Sequence, residues 1–267
     1  MVTRPIATSL TPTEKNDWEE NGFFVRRGFA SGPTCRKLWD RAVELARAEV
    51  AGESIAPAYV LRETRLDQPG RLGEERASKI FRLHRDDPTF HAGATDPALL
   101  AIMADILGPD VDCFLSQFIF KQPGALGQPW HQDAFYFPFD RDLQVGAWLA
   151  ITEAGAENSP LWVLPGSQTE AVHDAITDPR PDAPFGYVEI VDREMDGAER
   201  VLMQPGDLLV FHGHLMHRST DHEAGEVRAA MVYHYAESAT VDRTEQIWGQ
   251  PSPNNDWMTV LRDRAPV

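Results

Sequence analysis

His131-Gln132-Asp133 sets an imidazole and a carboxylate two residues apart, close enough for one stretch of chain to hold one metal ion from two sides. A second imidazole would complete two histidines and one carboxylate on a single face of an octahedron. That set suits iron(II) and leaves the opposite face open for a co-substrate and oxygen. Thiolates would instead select zinc or copper(I), and an all-carboxylate cage magnesium or calcium. The tripeptide alone is a weak signal, and nine histidines give chance many openings. Candidates for the second imidazole cluster at His212, His214 and His217. If the run 207–212 continued unbroken as a strand, His212 and His214 would share one face and His217 the other. Gly213 interrupts that regularity, so spacing leaves the three unresolved.

The elements that must position these residues change character along the chain. Residues 12–21 read as a short helix ending at Gly22, with Phe23, Phe24 and Val25 entering a strand. Over 33–50, Cys35, Leu38, Trp39, Ala42, Leu45 and Ala46 recur at helical spacing, which marks a helix with one buried face. Asp96 and Pro97, then Leu99, Leu100, Ile102, Met103 and Ile106, then Gly108 give a cap, a first-turn proline, an apolar stripe and a stop. From residue 111 the apolar period becomes two. Segments 111–121, 143–152, 161–164, 187–191, 201–203, 207–212 and 228–235 read as strands. Short strands at this spacing, with no repeat and no dividing linker, predict a mainly β single domain over 1–267. Its core is expected to be a double-stranded β-helix (jelly-roll, cupin-like) over about 111–240, with N-terminal helices of about 1–110 packed on it and a C-terminal tail at 241–267.

A net charge of −16 argues against nucleic acid and anionic membrane surfaces, which require a basic footprint. Two cysteines, Cys35 and Cys113, cannot build a disulfide framework and are expected to be reduced. The stretch from Met1 to Ile6 lacks the apolar run of a signal peptide, and no segment is long enough to span a bilayer. A cytoplasmic location is the expectation.

Pro129-Trp130-His131-Gln132-Asp133, Leu164-Pro165-Gly166-Ser167, Gly206-Asp207-Leu208-Leu209 and His217-Arg218-Ser219 occur in that order. Together they resemble the phytanoyl-CoA dioxygenase family of iron(II)/2-oxoglutarate oxygenases over about residues 111–236, and the N-terminal helices do so more loosely. The resemblance implies a dioxygenase that uses Fe(II), 2-oxoglutarate and O2 to hydroxylate a small organic substrate, releasing succinate and CO2. It implies His131, Asp133 and His217 as the iron ligands, which selects His217 from its cluster. By the same resemblance Arg228 grips the distal carboxylate of 2-oxoglutarate with Ser219 as its hydroxyl partner. Lys121, Trp148 and Gln132 are implied around the co-substrate, Gln132 as the residue that completes the signature. Halogenating relatives replace the carboxylate ligand with a small residue, so retention of Asp133 points to hydroxylation. In one departure, Asp221 stands where the family commonly has asparagine.

The residues agree with this reading on their own terms. An arginine fork pairs bidentately with a carboxylate, which lysine cannot do. Alternation sets Arg228 on a face with Ala230 and Val232, and Trp148 on a face with Gly146 and Ala150, small neighbours that leave room for a ligand.

Substrate identity is less legible. Stretch 62–85 carries Arg62, Arg65, Arg71, Arg76, Lys79, Arg82 and Arg85, which could form a site for an anionic substrate. Interleaved Glu63, Asp67, Glu74, Glu75, Asp86 and Asp87 favour a solvated, salt-bridged loop instead. Segment 173–200 is long for a jelly-roll connection, and loops of that length are often lids or binding loops. A non-catalytic cupin-like binding protein would keep the barrel but has no need of Arg228 and Ser219, and a zinc hydrolase has no role for the arginine. Leu164 to Gln168 lacks the second glycine of a nucleophile elbow, which excludes a serine hydrolase of that type.

Overall fold

Caps written in the sequence start four helices of the N-terminal third. Thr11 accepts from the Glu14 N–H while Glu14 reaches back to the Thr11 N–H, and Ser31, Asp87 and Asp96 each cap through a side-chain oxygen. The computed structural model describes residues 7–223 and 225–267. Met1 to Ile6, on which the signal-peptide expectation rests, lie outside the described residues. In chain order the first third runs α1 (Pro12–Asn21), β1 (Phe23–Arg26), α2 (Gly32–Val50), β2 (Tyr59–Arg62), α3 (Gly73–Arg76), β3 (Ala77–Phe81), α4 (Pro88–Ala94) and α5 (Pro97–Leu107). Next come β4 (Val111–Lys121), α6 (Asp133–Tyr136), β5 (Gln144–Ala150), β6 (Leu161–Val163), β7 (Ala175–Thr177), β8 (Val188–Ile190) and β9 (Glu199–Val201). The chain finishes with β10 (Leu208–His212), β11 (His217–Ser219), β12 (Arg228–Glu237), α7 (Thr244–Trp248), β13 (Met258–Arg262) and β14 (Ala265–Pro266).

Two antiparallel sheets form the jelly-roll core. The larger runs β1-β10-β5-β12-β4, and the far edge of β4 is shared by β3, which carries β2, and by β13, which carries β14. The smaller runs β11-β6-β9, and His131 extends it through an antiparallel bridge to His217.

The large sheet is buried on both faces, and alternation along β12 shows how. Ala229, Met231, Tyr233 and Tyr235 point into a core shared with Leu38, Ala42 and Leu45 of α2 and Leu100, Ile102 and Met103 of α5. Ala230 and Val232 point the other way, packing with Trp148, Leu209 and Phe211 against Val163 and Val201 of the small sheet. The helices therefore clad one face, and the space between the sheets is left for a site. Truncating a fully buried helix residue such as Leu100 to alanine should cost about 2–5 kcal/mol, enough to threaten a marginally stable domain.

Several details differ from expectation. β2 and β3 lie in a region expected to be helix and loop. β3 is buried almost throughout, so it carries no two-residue alternation to read. The strand expected at 201–203 forms two residues earlier as β9, and Met203 makes only an isolated bridge to Ala154. β11 is a three-residue strand too short for a pattern. The supposed tail is not free, since β13 pairs with β4 and β14 with β13. Among the described residues no helix is long and apolar enough to cross a membrane.

Candidate metal and co-substrate site

The bridge between His131 and His217 is reciprocal: each backbone N–H donates to the other's carbonyl at 3.0 Å. This fixes the two imidazoles side by side, with ring centroids 4.2 Å apart. The same local device aims both rings. His131 Nδ1–H donates to the Pro129 carbonyl at 2.8 Å, and His217 Nδ1–H to the Leu215 carbonyl at 2.9 Å. Each ring is thereby held in the tautomer that leaves Nε2 unprotonated as a ligand atom, which on His131 accepts from the Gln128 Nε2 amide at 3.0 Å. Asp133, the first residue of α6, brings Oδ1 to 3.7 Å from both Nε2 atoms. The three buried side chains offer ligand atoms within 4.8 Å of one another, a spacing and a donor set that fit one iron(II) ion.

Electrostatics prepare the same atoms. Burial, helped by His217, pushes the His131 imidazole down to about 3, so it is neutral near pH 7 and able to ligate. Burial alone would raise the Asp133 carboxyl, but His217, His234, His131 and Lys79 outweigh it and hold the group below its usual range. The other two histidines of the cluster are spent elsewhere. His214 donates its backbone N–H to His212 Nδ1 at 2.9 Å and its ring Nδ1–H to the Glu170 carbonyl at 3.1 Å. Neither lines the cavity that His217 faces.

At the other end of that cavity two cations face each other across a strand pair. Arg228 opens β12 directly opposite Lys121, the last residue of β4. Arg228 is 2% exposed and forms no ion pair with any described carboxylate. Its Nε donates to the Ser159 carbonyl at 3.2 Å, while Nη1 is buried with no partner. The guanidinium lies 5.5 Å from the centre of the Trp148 ring, which stacks it in place. Lys121 Nζ donates to the Leu126 carbonyl at 2.5 Å and to Ser219 Oγ at 3.2 Å. Burial lowers Arg228 to about 10 and, with the neighbouring guanidinium, drives Lys121 well below the usual lysine range. Leaving a buried guanidinium nitrogen unpaired is costly, and a ligand carboxylate on Nη1 would offset that cost. The pocket thus fits the distal carboxylate of 2-oxoglutarate.

The cavity joining the two ends has a volume of about 540 Å³ and is walled mainly by aromatic and aliphatic side chains. Of the residues singled out in the sequence, His131, Asp133, His217, Arg228, Ser219, Lys121 and Trp148 all line it. Gln132 does not, which corrects the co-substrate role expected for it. Its amide is committed to backbone, donating to the carbonyls of Ala171 and His214 and accepting from the His173 N–H. It ties segment 171–173 to the metal loop.

Two further polar residues of the cavity stand out: His234, not singled out in the sequence, and Lys79, named there only within the basic stretch 62–85. His234 Nδ1 lies 3.7 Å from Asp133 Oδ2, opposite the ligand oxygen. It falls in phase with Arg228, Ala230 and Val232, so alternation along β12 could have found it. Lys79 Nζ donates to Gln128 Oε1 at 2.9 Å and sits 5.3 Å from the centre of the Tyr187 ring. Burial brings its amine down to about 8. Among the seven basic residues of stretch 62–85, Lys79 alone lines the cavity. The arginines pair outward, Arg62 with Glu49, Arg65 with Asp182 and Asp221, Arg76 with Asp67, and Arg85 with Asp256.

The profile of the phytanoyl-CoA dioxygenase family matches residues 18–230 of the chain. The protein belongs to the phytanoyl-CoA dioxygenase family. Membership makes it an iron(II)- and 2-oxoglutarate-dependent dioxygenase by class, and the ligand triad is the part such an enzyme requires. Phytanoyl-CoA dioxygenase 1 of Oryza sativa subsp. japonica is 25% identical over 277 residues, covering 92% of this chain and 96% of the relative. Phytanoyl-CoA dioxygenase domain-containing protein 1 of Bos taurus is 28% identical, covering 91% and 96%. Among solved structures, the non-heme alpha ketoglutarate dependent epimerase SnoN from nogalamycin biosynthesis superposes with a TM-score of 0.66 at 17% identity, over 96% of this chain and 94% of that one. EctD from S. alaskensis gives 0.66 at 18% identity, over 88% and 84%. These two likenesses establish the shared fold.

Proposed function

We propose that this member of the phytanoyl-CoA dioxygenase family hydroxylates a small, largely apolar organic substrate, releasing succinate and CO2 from 2-oxoglutarate. His131, Asp133 and His217 hold iron(II), while Arg228, Ser219, Lys121 and Trp148 form the co-substrate pocket. The observation that carries the reading is the unpartnered Nη1 of Arg228, buried in the same cavity as the triad. Bound iron supplies oxygen activation coupled to oxidative decarboxylation of the co-substrate.

The residues do the rest. The Nδ1–H bonds to Pro129 and Leu215 keep both imidazoles aimed before any ion arrives. Arg228 takes a carboxylate in its fork, Ser219 offers a hydroxyl beside it, and the Trp148 ring prevents the fork from rotating away. Phe135, Phe137 and Phe211 line the cavity around the triad and keep water from the reacting end. Asp133 would give the ion an anionic ligand and so occupy the position that another anion could otherwise take. Lys79 gives the cavity one cation away from Arg228, where an anionic group of the substrate would be received.

Anaerobic titration with iron(II) and then 2-oxoglutarate should produce a visible metal-to-ligand charge-transfer band, and admitting oxygen should yield succinate. Iron binding with no band and no succinate would leave a metal-binding cupin-like protein and defeat the proposal.

A further inference from the structure

Three features left unexplained by the reaction meet at one place: Arg65 from the basic stretch, residues 178–182 from the long connection, and Asp221, where the family resemblance leads one to expect asparagine. Asp221 Oδ2 accepts from Arg65 Nη1 at 2.6 Å, and Oδ1 accepts from Arg180 Nη1 at 2.9 Å and from the Gly127 N–H at 2.8 Å. Arg65 Nε also donates to Asp182 Oδ2 at 2.6 Å. Arg180 closes the ring, with Nη2 donating to the Gly127 carbonyl at 2.6 Å and to Asp178 Oδ2 at 2.5 Å. Both guanidinium groups thus bridge two carboxylates, and the carboxylates come from two different segments.

The network joins two walls of the cavity from outside. On one side, the Asp178 N–H donates to the Tyr187 carbonyl at 2.9 Å, and Gly186, Tyr187 and Val188 line the cavity. Phe185 beside them is 99% exposed on the rim. On the other side, Asp221 lies two residues after Ser219, whose hydroxyl accepts from Lys121 and from the Gln128 N–H. Gly127 is packed so closely that a Cβ there would meet the Ser219 carbonyl oxygen at 2.3 Å, so this junction has no slack.

We propose that Arg65, Asp221 and Arg180 form an ionic latch that holds segment 178–188 in place as the movable wall of the cavity. Asp221 is its positioning residue. Single exposed ion pairs contribute little, but here two share one carboxylate whose side chain is about a third exposed. Asparagine at 221 would keep an acceptor for Gly127 and lose both ionic contacts. The charge, rather than the shape, is therefore what this chain adds. The identity of the wall as a substrate wall rests on the proposed function; the latch itself does not.

Hydrogen–deuterium exchange on the full-length protein separates the two. In Asp221→Asn, peptides covering 178–190 should exchange about threefold to tenfold faster at low salt, while β4 and β12 stay unchanged. Molar sodium chloride should bring the unaltered protein towards the same rate and affect Asp221→Asn less, because only the Arg65–Asp182 and Arg180–Asp178 pairs remain there to be screened. Arg65→Lys, which keeps the charge, should retain most of the protection, and Arg65→Gln should not. Unchanged exchange at 178–190 in Asp221→Asn would overturn the latch. So would a rise spread through β4 and β12, which would mark Asp221 as a general fold residue. None of these readings requires iron or turnover, so failure of the iron and 2-oxoglutarate titration would leave them intact.

Discussion

The deep end of the cavity and its mouth are built in opposite ways. At the deep end most of the polar groups stand on or bridge to strands: His217 on β11, His131 on its bridge, Arg228 and His234 on β12, Lys121 on β4. Each is buried and held by a bond to backbone, a facing ring or a close charged neighbour. At the mouth, Phe185 is 99% and Trp248 46% exposed, and Gln250 and Pro253 come from a loop. Under the proposed function, the strand-built end supplies what the reaction class requires, and the loop-built end is where a different substrate would be accommodated. On that proposal, function is divided between strands that fix the chemistry and loops that select its target.

Substitutions at the two ends should separate accordingly. The largest effect is expected for Asp133→Gly, which should fold but bind iron more than about 100-fold more weakly, since losing an outer-shell partner alone costs about 10- to 100-fold. Iron titration together with succinate assay would show it, and undiminished turnover in metal-replete buffer would refute the triad. His217→Ala should behave almost as severely, whereas His214→Ala should keep iron binding because its ring is committed to the Glu170 carbonyl. The reverse pattern would place the distal ligand at 214. Arg228→Ala should next cost about 1.5–3 kcal/mol of co-substrate binding, seen as a 2-oxoglutarate KM raised roughly 10- to 100-fold with iron affinity intact. Arg228→Lys should recover part of that loss, and an unchanged KM for Arg228→Ala would reduce the arginine to a structural cation. The smallest effects belong to the mouth. Phe185→Ala and Trp248→Ala should leave substrate-free succinate release within about twofold of the unaltered protein. A larger drop there would mean that the mouth helps hold the chemistry after all.

That division also explains what could be read from the chain alone. His131, Asp133, Arg228, Ser219 and Trp148 lie on strands or motifs with a period, a fixed spacing or a recognisable neighbour. Alternation along β12 already separated the helix-facing residues from the site-facing ones, and extending it two residues would have given His234. The choice of His217 over His214 needed the family resemblance, because Gly213 breaks the period and the deciding contact, a bridge to His131, joins distant parts of the chain. Lys79 was named among the basic residues of 62–85 but could not be told from its arginine neighbours, because β3 is buried almost throughout and shows no alternation. Gln132 was misread because its motif marks it as important without saying which way its side chain points.

Strand β12 has a further consequence. Its odd-numbered residues from Ala229 to Tyr235 bind the helical layer, and the residues alternating with them supply Arg228, the ring-facing Val232 and His234. A slip of one residue against β4 would aim tyrosines into the cavity and bury the guanidinium against α5. No misregistered chain could hold both an intact core and an intact site. Competence to bind the co-substrate is therefore a proofreading signal for assembly: in a refolded preparation, the fraction of molecules that take up 2-oxoglutarate with iron should equal the fraction whose central strands have paired correctly.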